Sequence, residues 1–222
     1  MLFRNKSNSG DEHDSWVSYT DLMSGFLVVF IIVAVLIFNE YLKIRKTNLQ
    51  NLITRYSEVF IDDPYIHHEI DTVRGSIVLT PMPGEKPLFE NGGDVLSPAL
   101  RRYIKTIGKG IVAESMEIWK TLGLKDIELR IEGHTDPNWR NSTDPNEIYI
   151  NNLELSSKRA NNVYQFMLDS LDLNEEEKDF MKRNMISIGY SYSRRLREGT
   201  SDVKDSALDS ASRRIEFRII SK

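Results

Sequence analysis

Residues 22–38, LMSGFLVVFIIVAVLIF, carry no charged side chain, and this run constrains the chain more than any other feature. About 20 apolar residues at a helical rise of ~1.5 Å each cover the ~30 Å hydrocarbon core of a bilayer. With its flanks the run predicts a transmembrane helix over residues 16–41. A cleaved signal peptide has a shorter apolar stretch, about 7–15 residues, closed by a small-x-small site; Ile37-Phe38-Asn39-Glu40-Tyr41 offers no such site. Trp16 and Tyr19 fall at one predicted interface and Tyr41 at the other, where amphipathic rings settle between headgroups and hydrocarbon. Lys43, Arg45 and Lys46 after the helix outnumber Arg4 and Lys6 before it, a bias that alone would keep the C-terminal part in the cytoplasm.

Asp21 lies inside this predicted span. An acid in a membrane helix costs about 2.5–3.5 kcal/mol on insertion scales, which makes it a functional candidate by default. So near the helix start, the same residue also reads as an interfacial acid favoured by the helix dipole.

The 222 residues leave room for one ordinary domain beyond the helix, and 40% hydrophobic with 28% charged content is that of a folded chain. A net charge of -4 gives no concentrated basic face, so nucleic acid is not expected as a partner. The absence of cysteine removes disulfides, thiolate metal sites and thiol nucleophiles together. Residues 1–15 are polar and read as a short tail. In the connector, 42–74, apolar residues recur at Leu42, Leu49, Leu52, Ile53, Tyr56 and Phe60, close to a seven-residue repeat through 42, 49 and 56. The helix is expected to leave the membrane and pair with a second copy; a lone amphipathic helix against the membrane or the next domain is the alternative. Asp62-Asp63-Pro64 ends it.

From residue 75 the pattern turns globular. Strands are predicted over 76–80, 127–131, 185–190 and 214–220, and helices over 97–121 and 156–170. Ser97 is the expected N-cap of the first helix, with Pro98 at its first position. Strands and helices interleaved in this way predict an α+β sandwich with helices on one face of a mixed sheet. His67 and His68 would point apart on a strand, and His134 has no second ligand at helical or strand spacing, so neither is read as a metal site. No nucleotide loop, metal cluster or nucleophile elbow is present, and an enzyme is not expected.

Two separated motifs carry a family resemblance. Gly133-His134-Thr135-Asp136 closes a predicted strand, Asn152-x-x-Leu155-Ser156-x-x-Arg159-Ala160-x-x-Val163 opens a helix, and Arg213-Arg214-Ile215-Glu216 lies in the last strand. This set resembles the OmpA-like peptidoglycan-binding domain over roughly residues 75–222. Leu88-Phe89 through Gly93 to Leu96-Ser97-Pro98 is similar to that family's lead into its first helix. The resemblance implies that Asp136 and Arg159 bind the diaminopimelate of the peptide stem, with Thr135, Asn152 and Arg214 in the same site. A carboxylate suits the ligand ammonium, and a guanidinium suits its carboxylate through a forked pair. The stretch between Asp136 and Asn152 is longer than the family pattern, leaving Trp139 and Arg140 as either ligand contacts or loop filling.

The second motif, Trp16-Val17-Ser18-Tyr19-Thr20-Asp21-Leu22-Met23, resembles the membrane signature of the stator B subunit of bacterial ion-driven motors, MotB and its relatives. That resemblance implies Asp21 as ion carrier, for a proton or a sodium ion, with no other cofactor. It also implies two copies of the chain, as a homodimer, inside five MotA-like (ZorA-type) subunits. The N-terminus is then cytoplasmic and the domain periplasmic in the inner membrane, against the weak charge bias. The short helical connection is most similar to that of the B subunit of the Zorya anti-phage defence system. A flagellar stator and a non-motor OmpA or Pal-like wall tether are the alternatives.

Overall fold

The computed structural model describes residues 9–72, 74–90, 93–122, 127–140, 142–194 and 212–221, without the side chains of 9–18, 44–52, 121, 122, 127 and 221. The chain divides into two compact units, residues 1–48 and 49–222.

The described residues of the first unit are helical. Helix α1, Ser9–Ser57, contains the one helical segment among the described residues that is long and apolar enough to cross a membrane, Tyr19–Lys43. Its apolar side chains are open on every side, with Phe30 at 71% and Ile37 at 65% exposure. A helix apolar all round suits lipid, not the edge of a one-sided core. Asp21 lies two residues into this segment and is exposed. The hydroxyl of Ser24 donates back to the Thr20 carbonyl at 2.8 Å, which satisfies one polar side chain inside the helix.

The second unit begins before the predicted boundary at residue 75. Ile53 and Tyr56 on the last turns of α1, and Phe60 just after it, are buried in this unit. The Tyr56 and Phe60 rings lie 5.8 Å apart, and Phe60 meets Phe217 edge-on at 6.0 Å. These three residues of the predicted pairing stripe therefore serve the domain's own core and are not free to form a seam with another copy. Leu49 and Leu52 lie outside the described side chains. A strand missed in the sequence, β1 (Ile66–Asp71), follows, and it pairs antiparallel with β2 (Ser76–Pro81).

The chain then runs through α2 (Pro98–Leu122), β3 (Ile127–Gly133), α3 (Pro145–Ser170), α4 (Glu175–Asn184), β4 (Met185–Gly189) and β5 (Ile215–Ser221). Among the described residues, five strands form one sheet in the order β1-β2-β5-β3-β4, with only β3 and β4 parallel. The α+β class is as predicted; β5 inserts between β2 and β3, and β4 lies at the edge. As expected, the Ser97 hydroxyl accepts from the Leu100 N–H at 3.2 Å and caps α2. Helix α4, unforeseen, starts with a full capping box between Asn174 and Glu177.

The period-2 pattern of the strands separates two faces of the sheet. Leu129, Ile131, Ile215, Phe217, Ile219, Ile77 and Leu79 point to one face and are buried with Leu100, Tyr103, Ile104, Ile107, Val163 and Met167 from α2 and α3. Paired on the opposite face are Glu132 with Glu216 and Arg130 with Arg218. Glycine is required where α3 meets the sheet. A Cβ on Gly133 would stand 2.2 Å from the Ser156 carbonyl oxygen, and one on Gly189 2.4 Å from the Ser157 nitrogen. Those two hydrogens let α3 lie close enough to bring Arg159 beside the end of β3.

Candidate functional site

Beyond the end of β3 the chain makes a tight turn. Asp136 accepts from the Asn138 N–H at 2.8 Å through Oδ1, an Asx turn that leaves Oδ2 directed elsewhere. Asn152 Nδ2 donates to the Asn138 carbonyl at 3.2 Å, fastening this turn to α3. Helix α3 starts well before the predicted 156, because Asp144 is its N-cap and Pro145 opens it. Much of the extra length after Asp136 is thus helix.

A cavity of about 290 Å³ opens between this turn, α3 and the segment leading into α2. Asp136, Thr135, Asn152 and Arg159, four of the predicted binding residues, line it together with Phe89, Arg213, Trp139 and Arg140. Arg159 is 5% exposed. Its Nε donates to the Gly93 carbonyl at 3.0 Å, and its guanidinium lies 4.8 Å from the centre of the Phe89 ring. Burial first, and then repulsion from Arg213, draw its pKa down to about 10, while Asp136 and Asp94 act in the opposite direction. Across the cavity Asp136 Oδ2 accepts from Arg213 Nη1 at 2.9 Å. The site therefore holds one carboxylate, from Asp136, and three guanidiniums, from Arg140, Arg159 and Arg213, which suits a zwitterionic ligand end and a further carboxylate.

Arg214, the remaining predicted binding residue, is placed elsewhere. Just ahead of β5, it is buried at 1% exposure, apart from its neighbour Arg213, and donates to Glu216 from Nε at 2.7 Å. It belongs to a charged cluster with Glu132, Arg218 and Arg194, in which Arg194 and Arg218 lie 2.9 and 3.4 Å from Glu132 Oε2. His134 stands among them, stacked on Tyr190 at 5.4 Å, with Arg194 on the ring of the same tyrosine at 3.7 Å. The His134 Nε2 does have second-ligand candidates that the sequence reading passed over: Glu132 at 3.7 Å and Glu216 at 3.5 Å. Three guanidiniums already engage those two carboxylates, so the cluster carries an excess positive charge before any cation is added. His67 and His68 point apart as predicted, the first exposed and the second half-buried. The sequence did contain Arg213, but only the path of the chain into β5 distinguishes which arginine of the pair faces the cavity.

The described chain is thus an apolar, membrane-length N-terminal helix followed by a mixed sheet with helices. No family model matches the sequence. The chain is similar to the Zorya protein ZorB of Escherichia coli, with 25% identity over 224 residues, covering 97% of this chain and 90% of that protein. Among solved structures it is similar to a MotB-like protein from Desulfovibrio vulgaris, at 20% identity and a TM-score of 0.44, over 83% of this chain and 98% of that one. The cell wall anchor of the type VI secretion system from Pseudomonas aeruginosa matches at 15% identity and a TM-score of 0.41, over 77% of this chain and 97% of that one.

Proposed function

We propose that this chain is the wall-anchored B subunit of an ion-driven inner-membrane motor of the Zorya anti-phage type, with Asp21 as ion carrier. The observation that carries the proposal is the combination in one chain of an acid inside a membrane-length helix and a domain whose cavity joins Asp136 to a buried Arg159. The similarity to ZorB along nearly the full chain supports the same reading.

In this account the domain is the fixed point. Asp136 and Arg159 take the two charged ends of a diaminopimelate side chain, and Arg213 moves from Asp136 to a ligand carboxylate when the ligand ammonium displaces it. The helix is the working part. A carboxyl takes up a proton where a partner surface desolvates it and releases it where it meets water, so alternating exposure of Asp21 converts ion flow into stepping of the MotA-like subunits. Two copies of the chain within five such subunits, the domain in the periplasm and a proton as the ion complete the proposal. A flagellar stator shares each of these parts; similarity to ZorB over 97% of this chain favours the defence system.

The test is co-purification. Tagged full-length chain, solubilised from cells that also hold the neighbouring membrane subunit, should bring that subunit with it and should sediment with intact sacculi. A chain that ignores sacculi, or emerges without a membrane partner, overturns the proposal.

A further inference from the structure

The turn between β3 and α3 does more than connect them. Trp139 and Arg140 both line the cavity, and the Arg140 guanidinium lies 5.5 Å from the centre of the Trp139 ring. Arg140 adopts φ 42°, the left-handed region that a side-chain-bearing residue seldom occupies. Such strain persists only where the surroundings hold it, and here they do. The Ser142 N–H donates to the Trp139 carbonyl at 3.0 Å, and the Ser142 hydroxyl donates to Glu147 at 2.7 Å. At the other end Asn152 grips the Asn138 carbonyl at 3.2 Å. The backbone of the turn is thus tied at both ends, and the indole is half-buried.

We infer that Trp139 and Arg140 form a sugar subsite that binds a hexosamine ring of the glycan strand to which the peptide stem is attached. This rests on the peptidoglycan reading of Asp136 and Arg159 and extends it from the peptide to the sugar. A pyranose presents a flat face of C–H groups, which matches an indole face, and an acetamido carbonyl, which matches a guanidinium donor. The alanine and glutamate residues of a stem peptide present no comparable flat apolar face. Pro87 and Leu155 extend the apolar lining of the cavity beyond what the charged groups of a diaminopimelate would use. Anchoring through two adjoining chemistries lets the domain tell intact wall from free stem peptide.

The experiment compares two soluble probes on detergent-solubilised full-length chain: a diaminopimelate-containing tripeptide, and the same tripeptide carried on its disaccharide. Wild type should bind the disaccharide form about three- to tenfold more tightly, the range expected for one aromatic contact. Trp139→Ala should lose that advantage, so that it binds the two probes alike, and Trp139→Tyr should restore most of it. A version with Trp16 and Trp119 changed to Phe leaves Trp139 as the sole indole, whose emission should shift with the disaccharide probe and not with the tripeptide. Equal binding of both probes by wild type, or an equal loss of both in Trp139→Ala, overturns the sugar subsite and leaves the peptide site standing. Failure of wild type to bind either probe overturns both readings.

Discussion

Replacing Arg159 by alanine should abolish wall binding while leaving the domain folded, and the structure supplies the reason for both halves. Burial has lowered the guanidinium pKa from 12.5 to about 10. Arginine is charged at neutral pH in the folded and unfolded chain alike, so a lowered folded pKa means that the fold bears a penalty of about 3 kcal/mol. That penalty is complete below the folded pKa and fades only as pH rises through it. Alanine removes the penalty. It also removes a charged hydrogen bond to Gly93, about 1.5–3 kcal/mol, and the stacking on Phe89, about 0.5–2 kcal/mol. The two sides nearly cancel, leaving a change within about 2 kcal/mol of zero. Binding has no such compensation. Losing one partner of a desolvated charge pair costs about 2–5 kcal/mol, or thirtyfold and more in affinity. Sacculus sedimentation across a range of wall concentrations, run beside thermal melting, separates the two effects. A folded Arg159→Ala chain that binds sacculi within threefold of wild type would refute the reasoning, and so would one that fails to fold.

Asp136→Ala should also weaken sacculus binding, and combined with Arg159→Ala it should cost less than the sum, since both serve one ligand; sedimentation of the double variant measures the shortfall. Gly133→Ala places a methyl group 2.2 Å from the Ser156 carbonyl oxygen, so α3 must shift, with an expected loss of about 1–3 kcal/mol seen in melting and weakened binding of the diaminopimelate tripeptide. His134 has its pKa lowered, by burial first and by Arg214 next, against the pull of Glu132 and Glu216. The unfolded chain therefore binds a proton that the folded chain refuses, and stability should fall as pH drops below about 6.5; His134→Gln should flatten that part of the melting profile. A cysteine at Leu49, in a chain that otherwise has none, should give disulfide dimers in oxidised membranes if the connector pairs, whereas a persistent monomer would count against the homodimer.

The apolar span and the four predicted residues that line the cavity were legible because each sits in a local pattern: a charge-free run, a strand closed by Gly-His-Thr-Asp, a helix carrying Asn152 and Arg159 seven residues apart on one face. What was not legible depends on partners distant in the chain. Ile53, Tyr56 and Phe60 follow a heptad-like spacing that serves pairing or a core equally well, and only Phe217, far along the chain, decides for the core. Strand β1 has a weak alternation, Ile-His-His-Glu-Ile-Asp, and becomes a strand through its register with β2. Helix α4 is mostly charged and buries just Phe180, Met181 and Glu177, too few positions for periodicity to register. Arg213 and Arg214 are indistinguishable by motif, and the path of the chain into β5 sends one to Asp136 at the cavity and the other to Glu216.

The account turns on Asp21 as the group that carries the ion. Asparagine keeps the shape of that side chain and removes its proton, so the decisive measurement is phage plating efficiency on cells in which the chain carries Asp21→Asn, at membrane levels and partner recovery equal to wild type. The account predicts that protection is lost, with plating equal to that on cells lacking the system. Undiminished protection by the fully assembled Asp21→Asn chain would contradict it.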